Sequence, residues 1–171
     1  CLEQACTRFA RVSIDLIFGL PGQTEAELAA DLALVHRHGL AHCSAYHLMF
    51  EPGTAFTARR DRGELRPPEE ERSQALFAQV RETLAGWGLP AYETSSYARP
   101  GQESRHNLAY WRQADYAACG AGAVSTVDGL RCTRERRPER YLAAILAGGD
   151  AICEREPLGR SERLRECWML G

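Results

Sequence analysis

The sequence has no lysine: all 21 of its basic residues are arginine, set against 23 carboxylates. That usage fits a GC-rich coding bias better than a binding role. A net charge of -2 excludes a global electrostatic footprint for nucleic acid or acidic lipid. No apolar run approaches the roughly 18 residues that a membrane span requires, and the front does not read as a signal peptide. The expectation is a soluble, cytoplasmic chain with no membrane span and no nucleic-acid partner. Also missing is any C-x-x-C pair or zinc-like cluster. The cysteines at positions 1, 6, 43, 119, 132, 153 and 167 are scattered, which predicts reduced thiols, most of them small buried hydrophobes. There is no initiating methionine; Cys1 opens what reads as mid-domain sequence, so a fragment is expected.

At 171 residues the chain can bury a real core but falls short of a closed (β/α)8 barrel, which takes about 250. Its first half alternates strand and helix. Val12–Phe18 is a short apolar run ending in the turn Gly19-Leu20-Pro21-Gly22. Thr24 with Glu27 forms a capping box, and Leu28, Leu32 and Val35 then repeat at helical spacing as far as Gly39. A second strand covers His42–Leu48. Glu51-Pro52-Gly53-Thr54 opens a polar loop to about Arg66, and a helix from Pro67 is carried by Leu76, Val80, Leu84 and Trp87. Ala91–Ser95 reads as a third strand. This order predicts βαβ units, hence an α/β fold with a parallel sheet or part of a barrel. Beyond Tyr97 come the turn Ala98–Gly101, the polar-aromatic segment Arg105–Trp111 and a hairpin through Asp128-Gly129. Helices follow at Arg137–Leu146 and from Ser161. The organisation expected is βα units over 1–97 and an extension with hairpin and helices over 98–171.

Several residues are candidates for chemistry. Asp15 stands in an otherwise apolar strand, where a carboxylate is costly unless bonded. It either binds a ligand at the carboxyl ends of the strands or pairs locally with an arginine or a backbone amide. The Gly19–Thr24 loop lacks the features of a phosphate cradle and reads as a capped βα turn. In Arg105–Trp111, His106 offers an imidazole suited to haem iron, with aromatic faces at Tyr110 and Trp111. The alternative is a hydrogen-bonded structural histidine beside core aromatics. Gly120–Ala123 permits close backbone approach, to a ligand or to a neighbouring strand. Arg131–Arg140 carries five arginines against two glutamates, a solvated face or a holder of substrate carboxylates.

These motifs, taken in order, resemble one family. They are Ile14–Thr24, Ser44–Leu48 with Glu51–Thr54, Tyr92–Ala98, Arg105–Trp111 and Gly120–Ser125. The chain is similar to the radical S-adenosylmethionine family of oxygen-independent coproporphyrinogen III oxidase-like proteins. The haem chaperone branch fits best, because its H-N-x-x-Y-W motif stands intact as His106, Asn107, Tyr110 and Trp111. The likeness runs from about residue 11 to the end at Trp168-Met169-Leu170-Gly171. It implies the carboxyl-side portion of a partial (β/α) barrel followed by a small α+β extension. It further implies that Asp15 and Tyr46 line an S-adenosylmethionine pocket. His106 would contact haem and its iron, with Asn107, Tyr110 and Trp111 shaping that segment.

Two departures matter. Val124 stands where the family's G-x-G-A-H-S loop carries histidine. The family's C-x-x-x-C-x-x-C motif, which holds a 4Fe-4S cluster, is absent, so this chain alone is expected to be catalytically inactive. A haem-acceptor protein and association through exposed barrel edges are the partners implied. Two other readings stay open: a fragment of a true coproporphyrinogen III oxidase, and a non-catalytic half-barrel acting as a partner module.

Overall fold

The computed structural model describes residues 1–170; of the terminal match at Trp168–Gly171, Gly171 lies outside the described residues. The chain forms two compact units, Cys1–Glu103 and a second from Ser104 onward.

The first unit contains α1 (Leu2–Arg8), β1 (Ser13–Phe18), α2 (Glu25–Arg37), β2 (His42–His47), α3 (Ala55–Asp61), α4 (Glu70–Gly86) and β3 (Ser96–Ala98). β1 and β2 are parallel, with Asp15 opposite Ser44 and Ile17 opposite Tyr46, and α2 connects them as a βαβ crossover. The predicted capping box exists: the Thr24 hydroxyl accepts from the Glu27 N–H, while the Glu27 carboxylate accepts from the Thr24 N–H at 2.7 Å. Leu28, Leu32 and Val35 of α2 and Leu76, Val80 and Leu84 of α4 are buried against Phe18, Cys43, Ala45 and Tyr97. One face of the sheet is thus covered by helices, as the periodicity predicts.

Two expectations fail here. The third strand is not Ala91–Ser95 but Ser96–Ala98, and it runs antiparallel to β2. The cause is local. The Glu93 carboxylate accepts from the Ser95 N–H at 3.1 Å, and the Tyr92 N–H donates to the Ser96 carbonyl at 3.1 Å. The polar run Glu93-Thr94-Ser95 therefore turns the chain back before it reaches β2. The stretch expected as open loop after Thr54 also contains α3, capped by the Thr54 side chain accepting from the Thr57 N–H.

The second unit contains α5 (Arg105–Trp111), β4 (Val124–Val127), β5 (Leu130–Arg134), α6 (Pro138–Leu146), β6 (Ile152–Pro157) and α7 (Arg160–Leu170). Its three strands form an antiparallel sheet in the order β4-β5-β6. Asp128 and Gly129 both take positive φ, 50° and 74°, as a two-residue hairpin turn of this hand requires. All seven cysteines are free. The expectation that most are buried is corrected: Cys43 is buried, Cys6 and Cys132 are half-buried, and Cys1, Cys119, Cys153 and Cys167 are exposed. No helix among the described residues is long and apolar enough to cross a membrane.

Candidate functional site

Side chains alternate across a strand, so the register of β1 and β2 decides what the uncovered face of the first sheet presents. Ile14, Leu16 and Phe18 join the core with Cys43 and Ala45. The opposite face receives Ser13, Asp15 and Ile17 from β1 and His42, Ser44 and Tyr46 from β2. Asp15 and Tyr46 thereby share a face on adjacent strands, two residues out of register. Asp15 is exposed, and its carboxylate has no hydrogen bond or ion pair among the described residues. The local ion pair left open from the sequence is not formed. Tyr46 is 42% exposed and Ile17 54%.

At the amino end of this face lies a hydrogen-bonded chain that sequence reasoning missed. The Ser13 hydroxyl meets His42 Nδ1 at 2.6 Å, and His42 Nε2 meets the Tyr92 hydroxyl at 2.8 Å. Burial pushes the imidazole's pKa below its ordinary value, with the charge of Asp15 opposing. The three residues are far apart in sequence, and only the parallel register and the 91–95 reversal bring them together.

The loop after β1 is closed on itself. Gln23 is buried, and its Oε1 accepts from the Gly19 N–H at 2.8 Å and from the Leu20 N–H at 3.4 Å. These amides, which could otherwise face an anion, are occupied, in agreement with the capped-turn reading.

The segment with His106 is a short helix rather than irregular chain. Ser104 caps α5 by accepting from the Asn107 N–H at 3.3 Å. Helical spacing splits the four motif residues into two pairs four apart. His106 and Tyr110 are both exposed, their rings edge to face at 4.8 Å; Asn107 and Trp111 are half-buried on the neighbouring stripe. No hydrogen bond holds the His106 imidazole among the described residues, which differs from a structural histidine tied into a network. Tyr110 continues to Tyr116, ring centroids 4.4 Å apart.

The glycine run belongs to packing. The Gly122 N–H donates to the Glu135 carbonyl at 2.8 Å, and the Arg134 N–H donates to the Ala123 carbonyl at 3.0 Å. Arg131, first of the arginine run, is taken up by Glu166 at 2.6 Å and Glu156 at 3.2 Å. No group of three or more His, Cys, Asp or Glu side chains able to hold a metal ion occurs among the described residues.

No family model matches the chain. The solved structure of coproporphyrinogen III oxidase from Escherichia coli, described as a radical SAM enzyme, superposes with a TM-score of 0.76 at 21% identity. It covers 96% of this chain and 41% of that one, and shows the fold as a partial α/β barrel type. The heme chaperone HemW of Synechocystis is 38% identical over 177 residues, covering 99% of this chain and 43% of that protein. The HemW of Lactococcus lactis is 34% identical over 163 residues, covering 95% of this chain and 42% of its own. Over nearly its whole length the chain is similar to proteins named heme chaperone HemW. It spans about two fifths of the length of these relatives. The resemblance carried by the H-N-x-x-Y-W segment is thus matched by overall similarity to the same branch.

Proposed function

We propose that this chain is the haem-contacting part of a haem chaperone, with His106 as the residue facing haem iron. The observation that carries the reading is the exposed His106 imidazole, free of hydrogen bonds among the described residues and set edge-on to Tyr110. Imidazole is a common axial ligand, and an exposed aromatic neighbour offers a flat macrocycle an apolar surface. Haem, when bound, would supply an iron for the His106 imidazole to ligate. Asn107 and Trp111, half-buried on the adjacent stripe, hold the helix so that His106 and Tyr110 project outward.

The uncovered face of the first unit suits S-adenosylmethionine. Asp15 has its acceptor capacity unspent, so its carboxylate can take hydrogen bonds from ribose hydroxyls or an amino group, and Tyr46 beside it offers a ring and a hydroxyl. The residues do not fit a 4Fe-4S cluster: no C-x-x-x-C-x-x-C spacing occurs, and no metal-holding group is found among the described residues. A cytoplasmic setting accords with free thiols, and a protein that accepts the haem is the partner this role requires.

Titration of the chain with haemin, followed at the Soret band, tests the proposal. Saturable binding with a shifted Soret band, lost in His106→Ala, is expected. Absence of binding, or binding indifferent to that substitution, overturns it. Calorimetry with S-adenosylmethionine tests the other face, where Asp15→Asn should weaken binding about tenfold or more, the worth of a charge-assisted hydrogen bond.

A further inference from the structure

The second unit contains a pocket of about 260 Å³ that the haem reading has not used. Across its sheet, Tyr116 bridges to Thr126, which pairs with Arg131. These three line the pocket together with Tyr110 of α5 and with Arg163 and Glu166 of α7. The Tyr110 ring belongs both to this pocket and to the pair with His106, 4.8 Å away. The pocket therefore begins one aromatic ring from the imidazole.

Three observations define what fits. Its volume lies below the roughly 300–1,000 Å³ of sites for drug-sized ligands, so a whole macrocycle is excluded while a side arm is accommodated. The charged lining residues are Arg131, Arg163 and Glu166, one positive charge in excess. Arg131 is already spent on Glu166 and Glu156. Arg163 has no ion pair or side-chain hydrogen bond among the described residues, so it is the lining cation left to meet an anion. Finally, Thr126 is only 7% exposed, and its hydroxyl has no hydrogen-bond partner among the described residues. Burying an unsatisfied hydroxyl is unfavourable; this one is closed to solvent, so a ligand oxygen relieves it once the Thr126 side chain turns toward the pocket.

We infer that this pocket receives one carboxylate arm of the porphyrin that His106 faces, with Arg163 and the Thr126 hydroxyl as its partners. The inference rests on the haem reading and adds a second anchoring point to it. A propionate on a flexible stem supplies the anion for Arg163 and the acceptor for Thr126, and the ring edge that follows it meets Tyr110 and Tyr116. Two contacts, at the iron and at one arm, would fix the orientation of a ligand that a lone imidazole leaves free to rotate.

The test compares haemin with its dimethyl ester, which keeps iron and macrocycle but has no carboxylate. Wild-type chain should bind haemin roughly tenfold or more tightly than the ester, as loss of a charge-assisted hydrogen bond requires. Arg163→Gln, a change at an exposed helix position, should remove most of that preference by weakening haemin alone, and Thr126→Val should reduce it. His106→Ala should abolish the Soret shift with both ligands. Equal affinity of wild type for the two ligands, or equal weakening of both by Arg163→Gln, overturns the arm site while the haem reading stands. Failure of both ligands to bind overturns the haem reading and this inference with it.

Discussion

Gly19 ends the strand that carries Asp15, and its replacement separates two costs that usually arrive together. Gly19 and Gly22 have nearly the same backbone conformation, φ +76° and +79°. A Cβ added at Gly22 meets nothing within 4 Å, whereas one at Gly19 would sit 2.6 Å from His47 Nε2 and 2.8 Å from its Cδ2. Gly22→Ala should therefore cost only the left-handed backbone penalty, about 1–2 kcal/mol. Gly19→Ala adds displacement of an imidazole that packs edge-on against buried Phe18, centroids 5.3 Å apart. Overpacking of that kind costs about 1–3 kcal/mol. The sum at Gly19 is about 2–5 kcal/mol. Placing Gly19→Ala in a His47→Ala background should return its cost to that of Gly22→Ala, since the obstructing ring is gone. Urea unfolding of the four variants and wild type measures this as a double-mutant cycle, with an expected coupling of about 1–3 kcal/mol. Equal costs for Gly19→Ala and Gly22→Ala, or a Gly19→Ala cost unchanged when His47 is removed, would refute the steric argument.

Leu32→Ala, at a fully buried position of α2, should destabilise by about 2–5 kcal/mol in urea unfolding, because the site is walled by both helices and sheet. His42 binds protons less readily folded than unfolded, its pKa being pushed below the ordinary 6.5 by burial. Stability is therefore full above about 6.5 and falls as pH drops from there toward the depressed value, and His42→Gln should flatten this slope in unfolding curves run between about pH 7.5 and 5.5. Burial pushes the Cys43 thiol up to about 12. Maleimide under native conditions should modify Cys119, Cys153 and Cys167 and spare Cys43 until denaturant is added, as peptide mass mapping will show.

Much of the first unit is legible in sequence because its signals are local. Thr24 and Glu27 sit three apart, and Leu28, Leu32 and Val35 mark one helical stripe; both relations survive folding unchanged. Asp128-Gly129 specifies its hairpin by the same logic. Less legible are elements without an apolar period. α3 is a seven-residue helix with a single buried residue, Thr57. β6 has no buried residue to reveal its alternation. Ala91–Ser95 has strand-like ends, but the hydrogen bonds of Glu93 and Tyr92 reverse it. The candidate site was legible residue by residue and not as an arrangement. That Asp15 and Tyr46 share a face follows from a parallel register joining strands about thirty residues apart, which no spacing reveals. The pocket in the second unit draws on α5, β4, β5 and α7, so neither Arg163 nor Thr126 carried a signal before folding.

The misjudged environment of Asp15 bears on which open reading the first unit supports. Its neighbours in sequence are apolar, yet alternation sends Ile14 and Leu16 to the helices and leaves Asp15 on the uncovered face beside Ser44. An exposed carboxylate costs nothing while water solvates it. It becomes expensive once something dry covers the face, because a charge removed from water must be paired or hydrogen-bonded. Across from it, Ile17 and Tyr46 are paired and exposed, an apolar patch that gains from being covered. A partner protein docking here through an apolar surface would win the second term and lose the first. A ligand with hydroxyl or amino donors at one end and a flat apolar portion at the other satisfies both. This balance supports the proposed small-molecule reading of the face over a half-barrel built only to receive another chain. Asp15→Leu should reverse the preference, weakening S-adenosylmethionine while promoting concentration-dependent self-association, which sedimentation would detect.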